Sequence, residues 1–161
     1  MTAPFPPGRR LLSLGARLIL GVIFVHLGIT KALDPVGFLK LIRQFELVSS
    51  PPALNLLAAV LPWLEILCGV LLVFGMRVRA AALVVGVMLV VFTTAVALRA
   101  WSIYRAGGTP FCSIHFDCGC GTGEIVICTK LLQNVALGLL SGFVFSSASD
   151  PRTPLNPPTD A

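Results

Sequence analysis

Long apolar stretches separated by short polar segments form the main pattern of this 161-residue chain. Four stretches carry one charged side chain or none: residues 11–30 with Arg17, residues 53–76 with Glu65, residues 80–98 and residues 131–149. A helix needs about 20 mostly apolar residues to cross a bilayer. The pattern therefore predicts four membrane-spanning helices, at about residues 10–33, 53–75, 80–104 and 125–146.

A shorter segment between the first two spans has one apolar and one polar face. In residues 36–47 the apolar face carries Phe38, Leu41, Ile42 and Phe45, and the polar face carries Lys40, Arg43 and Gln44. A helix of this length is too short to cross the bilayer and is typical of the membrane interface. The predicted fold class is all-α: an integral membrane four-helix bundle with a short interfacial amphipathic helix between helices 1 and 2.

The composition excludes several classes of protein. Hydrophobic residues make up 56% of the chain and charged residues 12%, whereas soluble domains are about a quarter charged. We therefore exclude a soluble enzyme, a DNA-binding module and a secreted disulfide scaffold. The formal net charge of +5 comes from scattered basic residues at span ends, so we expect a lipid bilayer and no nucleic acid as a partner. Residues 10–146 form the predicted bundle, and residues 1–9 and 147–161 are predicted to be disordered tails.

An even number of spans puts both termini on the same side of the membrane. Five basic residues fall on each side, but the N-terminal arm and the turn at residues 75–79 contain no acidic ones. Basic segments tend to stay in the cytoplasm. We therefore predict a multi-pass protein of the cytoplasmic (inner) membrane with both termini in the cytoplasm, and a periplasmic loop at residues 105–124.

Four of the five cysteines lie in this loop and at the start of the last span: Cys112, Cys118, Cys120 and Cys128. In an oxidising compartment, free thiols persist only with a partner or a function. Cys118-Gly-Cys120 places two sulfurs so close that a disulfide between them is strained, and strained disulfides exchange readily. Cys112 and Cys128 can form a second pair, but four cysteines allow three connectivities. The spacing favours thiol–disulfide exchange.

Two other interpretations of the cysteines stay open. Cys112, His115, Cys118 and Cys120 supply three sulfurs and one nitrogen, a ligand set that Zn²⁺ accepts, although their spacing matches no standard zinc pattern. Alternatively, one or two structural disulfides pin the third span to the fourth.

Polar side chains within the spans are expected to face the bundle interior, because a charge in lipid is costly. Four candidates are His26 in the first span, Trp63 and Glu65 in the second, and Lys130 at the start of the fourth. We predict that they line a pocket that seats a quinone headgroup and moves its protons; a quinone is the one cofactor that the sequence suggests. The alternative is that Glu65 pairs with Lys31, Lys130 or Arg17 and only holds the helices together.

Three motifs resemble a known family: Gly28-x-x-Lys31-x-x-Asp34-Pro35-x-x-Phe38, then Leu61-Pro62-Trp63-Leu64-Glu65 followed by Gly69 and Gly75, then Cys118-Gly-Cys120-Gly. Over about residues 14–140 their order and spacing resemble the MauE/DoxX group of four-helix membrane proteins. The resemblance implies a role in methylamine utilisation, supporting disulfide formation in the small subunit of periplasmic methylamine dehydrogenase beside a thioredoxin-like partner. DoxX-type relatives include a membrane subunit of thiosulfate:quinone oxidoreductase. Relatives often read Cys-x-Cys-Phe-Gly, and that aromatic residue is absent here.

Residues and resemblance together predict a membrane redox-associated protein that supports periplasmic thiol–disulfide chemistry. Cys118 and Cys120 would be the exchanging pair, Cys112 and Cys128 would relay to it, and electrons would pass to a quinone. If the chain is an enzyme, it is a thiol–disulfide oxidoreductase coupled to quinone. The expected partner is a thioredoxin-like periplasmic protein or a disulfide-rich client. The alternatives are a non-catalytic assembly or anchoring subunit of a larger membrane complex, and a DoxX-like subunit of a thiosulfate:quinone oxidoreductase.

Overall fold

Four long helices and one short helix make up most of the described chain. The computed structural model describes residues 7–46, 50–107, 110–117 and 124–148. The helices are α1 (Pro7–Leu33), α2 (Pro35–Gln44), α3 (Pro51–Phe74), α4 (Val78–Gly107) and α5 (Ile127–Ser147). All except α2 are long and apolar enough to cross a membrane. The all-α four-helix fold is confirmed, with span boundaries within three residues of prediction. The predicted disordered tails were residues 1–9 and 147–161. Residues 7–9 instead begin α1 and Ser147 ends α5, because both helices extend beyond the apolar stretches. Residues 1–6 and 149–161 lie outside the described residues.

The short helix α2 begins with a cap that the sequence encodes locally. The Asp34 side chain accepts a hydrogen bond from the Gly37 amide at 2.9 Å, and Pro35 occupies the first helical position, where no amide donor is needed. A Cβ atom on Gly37 would lie 2.1 Å from the Asp34 carboxylate, so a side chain there would displace the capping group. Phe38 and Leu41 are buried, and the basic side chains of α2 are exposed. The predicted amphipathic pattern is confirmed.

Helices α1 and α3 run antiparallel and pack backbone against backbone at three glycines. A Cβ atom on Gly21 would lie 2.8 Å from the Gly69 carbonyl oxygen, and one on Gly69 would lie 2.7 Å from the Gly21 carbonyl oxygen. Further along, a Cβ atom on Gly28 would lie 2.7 Å from the Pro62 carbonyl oxygen. Small residues let helices approach closely in a bilayer, where van der Waals packing drives their association. These glycines fix the contact between α1 and α3.

Helices α4 and α5 form the second pair. The buried Ser141 hydroxyl donates a hydrogen bond to the Ala82 carbonyl oxygen at 2.7 Å. On the side of the bundle nearer the termini, an apolar core joins the two pairs through residues from all four long helices: Leu20, Phe24, Leu72, Val85 and Val144.

The segment between α4 and α5, which was predicted only as a loop, contains regular structure. One turn of 3₁₀ helix spans Phe111–Ser113, and two short strands, β1 (His115–Asp117) and β2 (Glu124–Val126), pair antiparallel. The Ile127 amide donates a hydrogen bond to the Ile114 carbonyl oxygen at 3.1 Å. The strand pair is thereby tied to the start of α5. Three-residue strands are too short to produce a recognisable alternation in the sequence.

Candidate functional site

A disulfide joins the cysteine-rich segment to α5. Cys112 lies in the 3₁₀ turn and Cys128 in the first turn of α5; their Cα atoms are 5.2 Å apart, and 16 positions separate them in the sequence. This is one of the pairings that the sequence left open. Cys112 is exposed and Cys128 is half-buried. An approaching thiol would therefore reach the sulfur of Cys112 more easily than that of Cys128.

A thin apolar layer lies beneath this disulfide. Cys128 packs against a cluster of buried side chains: Val96, Ala100, Ile114 and Ile127. Two members of this cluster, Val96 and Ile127, also line the cavity described below. One layer of side chains thus separates the disulfide from that cavity.

The other two cysteines of the predicted exchange set, Cys118 and Cys120, lie outside the described residues. Cys118 directly follows β1 in the sequence, so both belong to the connection between β1 and β2. Cys112 is held in a disulfide, and a sulfur in a disulfide is not a thiolate ligand, which argues against the zinc interpretation. Within the described ranges, no group of three or more metal-ligating side chains occurs.

A buried ion pair links α1 to α3. Lys31 Nζ donates a hydrogen bond to Glu65 Oε1, and the two residues are only 7% and 2% exposed. The Lys31 ammonium also lies 5.2 Å from the ring centroid of Phe38 and 4.9 Å from that of Phe92. Of the three basic partners considered for Glu65, Lys31 is the one that forms the salt bridge.

Arg17, a residue of α1, lies beside the C-terminal end of α3, far from Glu65. α3 ends at Gly75, which has a left-handed backbone (φ 77°), and a Cβ atom there would lie 2.6 Å from Arg17 Nη1. The guanidinium group therefore stands beside the C-terminal end of α3, where the helix dipole favours a cation. Ten residues, or about 15 Å of helix, separate Gly75 from Glu65.

A cavity of about 430 Å³ lies between the two helix pairs, with the ion pair in its wall. Its polar lining residues are Lys31, Glu65, Lys130, Gln133 and Asn134. Its apolar lining includes Phe24, Leu41, Phe45, Met88 and Phe92. The Lys130 ammonium adds a further electrostatic attraction on the Glu65 carboxylate. With two ammonium groups, one carboxylate and two amides, the cavity offers hydrogen-bond donors to a ligand that carries acceptor oxygens.

This cavity is open to the side of the bundle at α5. Gln133 and Ala136 line it and are exposed at the molecular surface. Gln133 is six residues from the start of α5, or about 9 Å along the helix. In a bilayer, this opening would face lipid and not water.

The structure brings together only two of the four predicted pocket residues, Glu65 and Lys130. His26 and Trp63 do not line this cavity; both are exposed, and Trp63 is 67% exposed. Successive helical residues are about 100° apart. Trp63 is two positions from Glu65 and therefore points about 200° away from it. Neither His26 nor Trp63 therefore belongs to this cavity, and for Trp63 the helical period gives the reason.

Sequence reasoning missed several residues of the cavity wall. Gln133 and Asn134 supply amides, and Phe92 supplies a ring, but none of them was among the predicted site residues. On α5 the lining residues follow helical spacing: Ile127, Lys130, Asn134 and Leu137. Once Lys130 is chosen, the helical period identifies Asn134 as lying on the same face. No comparable signal identifies α2 as a wall of the cavity.

Comparison with known proteins identifies a family. No curated protein and no solved structure matches the chain significantly. The family model described as methylamine utilisation protein MauE matches residues 9–147, which include all five helices except the first two residues of α1. With its four membrane-crossing helices and a match over most of its length, this chain belongs to the MauE family.

Proposed function

We propose that this chain is a quinone-coupled thiol–disulfide exchange protein of the cytoplasmic membrane. In this proposal, cysteines on the periplasmic side take electrons from a dithiol partner, and a quinone in the cavity takes them from the cysteines. One observation carries the proposal: a disulfide lies one side-chain layer from a mostly apolar cavity that carries a cluster of polar groups and is open at the side of α5. Membership of the MauE family supports a role in methylamine utilisation, and the disulfide formation in periplasmic methylamine dehydrogenase that the resemblance implies would require such an exchange protein.

The position of the Cys112–Cys128 disulfide indicates which sulfur is attacked and which one leaves during exchange. A thiolate of the Cys118–Cys120 pair, reduced by the partner, attacks the exposed Cys112 sulfur and forms a mixed disulfide. The Cys128 sulfur leaves as a thiolate at the first turn of α5, where the helix dipole stabilises an anion. A better-stabilised leaving thiolate departs faster. The second thiol of the pair then displaces Cys112, so that two electrons and two protons have moved from one cysteine pair to the other.

Chemistry of the cavity supports a quinone as the next acceptor. Lys130, Gln133 and Asn134 carry N–H donors that suit ring carbonyl oxygens, and Phe24 and Phe92 supply aromatic walls. A lipid-soluble tail would leave through the opening at Gln133. When Cys112 and Cys128 form their disulfide again, the two thiols lose two electrons and two protons. A quinone held in the cavity would supply the acceptor for both and would leave as a quinol, so the cycle balances.

Turnover by the purified full-length chain in lipid nanodiscs tests this proposal. The donor would be a reduced thioredoxin-fold protein and the acceptor decylubiquinone, whose absorbance reports its reduction. We expect Cys112→Ser and Cys118→Ser to lower turnover at least 100-fold. Cys68→Ala is the matched control, because Cys68 is a free cysteine buried in the apolar core, away from the loop. It should keep turnover within about twofold of the unmodified chain, as expected for a site outside the exchange set.

Alkylation mapping of the cysteines gives the result that would overturn the proposal. In membranes from aerobic cells, Cys118 and Cys120 should become accessible to a maleimide only after reduction. If they react without reductant, and Cys118→Ser retains full turnover, the exchange proposal is overturned.

The same disulfide also favours a second candidate, a non-catalytic assembly or anchoring subunit. Cys112–Cys128 ties the segment after α4 to α5 across 16 positions of sequence, as a structural staple would. In that case the chain would co-purify with a larger membrane complex. Substitution of Cys112 would then lower the abundance of that complex without changing turnover per molecule.

A further inference from the structure

Glu65, a residue that lines the cavity, has one side-chain oxygen without a hydrogen-bond partner among the described residues. Glu65 Oε1 accepts the hydrogen bond from Lys31, but Glu65 Oε2 is buried and has no partner within the described part of the chain. Leaving a buried acceptor without a partner is unfavourable, and more so when the acceptor is charged. The carboxylate belongs to a residue that lines the cavity. A ligand that brings a hydrogen-bond donor to this oxygen would remove that cost.

The oxidised and reduced forms of a quinone differ in whether they can donate a hydrogen bond, which is what Glu65 Oε2 lacks. The oxidised ring has two carbonyl oxygens, which only accept hydrogen bonds. The reduced ring has two hydroxyl groups, which donate as well as accept. The ammonium and amide groups of Lys130 and Gln133 can donate to either form, whereas Glu65 Oε2 can only accept. The cavity therefore contains one group that distinguishes reduced from oxidised ring.

We propose that Glu65 makes the cavity a quinol-selective site, with a ring hydroxyl donating its hydrogen bond to Glu65 Oε2. This inference rests on the proposed quinone coupling and names the form of the ring that is held more tightly. Hydrogen bonds to charged acceptors are the strong ones, so we expect the quinol to bind about tenfold more tightly than the quinone. For a two-electron couple, a tenfold preference raises the reduction potential of the bound ring by about 30 mV. The bound quinone is then a stronger oxidant of the cysteine pair.

Binding of decylubiquinone and decylubiquinol, measured separately by equilibrium dialysis under nitrogen, tests the preference. The full chain in nanodiscs would carry serine at positions 112, 118, 120 and 128, so that the probe keeps its oxidation state during the measurement. The dissociation constant of the quinol should be about tenfold lower than that of the quinone. Glu65→Gln should bring the ratio close to one, because an amide donates to a carbonyl as readily as it accepts from a hydroxyl.

Two further variants keep the test decisive. Glu46→Gln makes the same chemical change at an exposed glutamate that pairs with Arg99, outside the cavity lining, and should leave the ratio unchanged. If Glu65→Gln does not fold, the apolar replacement of both ion-pair residues, Lys31→Met with Glu65→Leu, removes the acceptor without leaving an unpaired charge. It should also abolish the preference for the quinol.

The outcomes separate this inference from the proposed function. Equal binding of the two forms, or a quinol preference that survives loss of the Glu65 carboxylate, overturns the inference but leaves quinone-coupled exchange intact if turnover is observed. Failure of both forms to bind, together with absence of decylubiquinone reduction, overturns the proposed function as well.

Discussion

Helices α1 and α3 touch through glycine backbones and share a buried ion pair. Helix α5, in contrast, is tied near its start by a disulfide to the segment that follows α4, and near its end by a serine hydroxyl to α4 itself. Glycine itself has different roles in the two pairs. A Cβ atom on Gly69 would meet backbone oxygen at 2.7 Å, but one on Gly138 of α5 would meet nothing within 4 Å. The first pair is therefore a close-packed frame, and the cavity lies where α5 stands further from it.

The largest effect is expected from breaking the ion pair of the first helix pair. Glu65→Leu leaves Lys31 buried without its salt bridge and should lower the free energy of unfolding by about 3–5 kcal/mol. Thermal unfolding in a mild detergent measures this loss. Adding Lys31→Met should restore most of it, because an apolar pair of similar volume needs no charge compensation. A double variant as unstable as Glu65→Leu would show that the ion pair is not what holds Lys31 in place.

Removing the disulfide tests the second pair. Cys112→Ser with Cys128→Ser should lower the free energy of unfolding by about 3 kcal/mol, the value expected for a closed loop of this length. In a chain that carries serine at positions 118 and 120, unfolding with and without reductant measures the same quantity. Cys68→Ala is the control: reductant should change its free energy of unfolding by the same amount as that of the chain with Cys68 intact. A chain equally stable in both conditions would mean that α4 and α5 do not depend on the covalent link.

A smaller loss is expected when a methyl group is added between α1 and α3. Gly69→Ala places a Cβ atom against the Gly21 carbonyl oxygen and should cost about 1–3 kcal/mol, as overpacking usually does. Gly138→Ala is the matched control, where open space should make the change neutral or stabilising by up to about 1 kcal/mol. Melting temperatures of the two variants compare them directly. Equal effects would contradict the assignment of α1 and α3 as the close-packed pair.

The smallest effect is expected from the hydrogen bond between α5 and α4. Ser141→Ala removes the donor to the Ala82 carbonyl oxygen and should cost about 0.6 kcal/mol, the average for such bonds within a membrane. Urea titration in detergent resolves a change of this size if the unfolding slope is unchanged. A loss as large as that of the disulfide would mean that this end of α5 carries most of its anchoring.

The four spans and the amphipathic helix were predictable because hydrophobic length and helical period are local signals. Phe38 and Leu41 fall on the buried face of α2 as the period requires. The cavity was only partly predictable. Glu65 and Lys130 were found because charge in a span is rare, but Trp63 was included for its chemistry although its helical position turns it away. The ion pair with Lys31 depends on how α1 and α3 dock, which no single segment specifies.

The position of α2 and its C-cap residue in one wall of the cavity has a practical consequence. Leu41 and Phe45 line the chamber from the side on which α1 ends, and Arg43 is exposed. A charged, water-soluble reagent on that side would meet the Cys112–Cys128 disulfide first. A lipid-soluble molecule in the bilayer would instead enter the cavity through its opening at α5. Solubility alone should therefore allow an experimenter to address either end of the proposed electron path without disturbing the other.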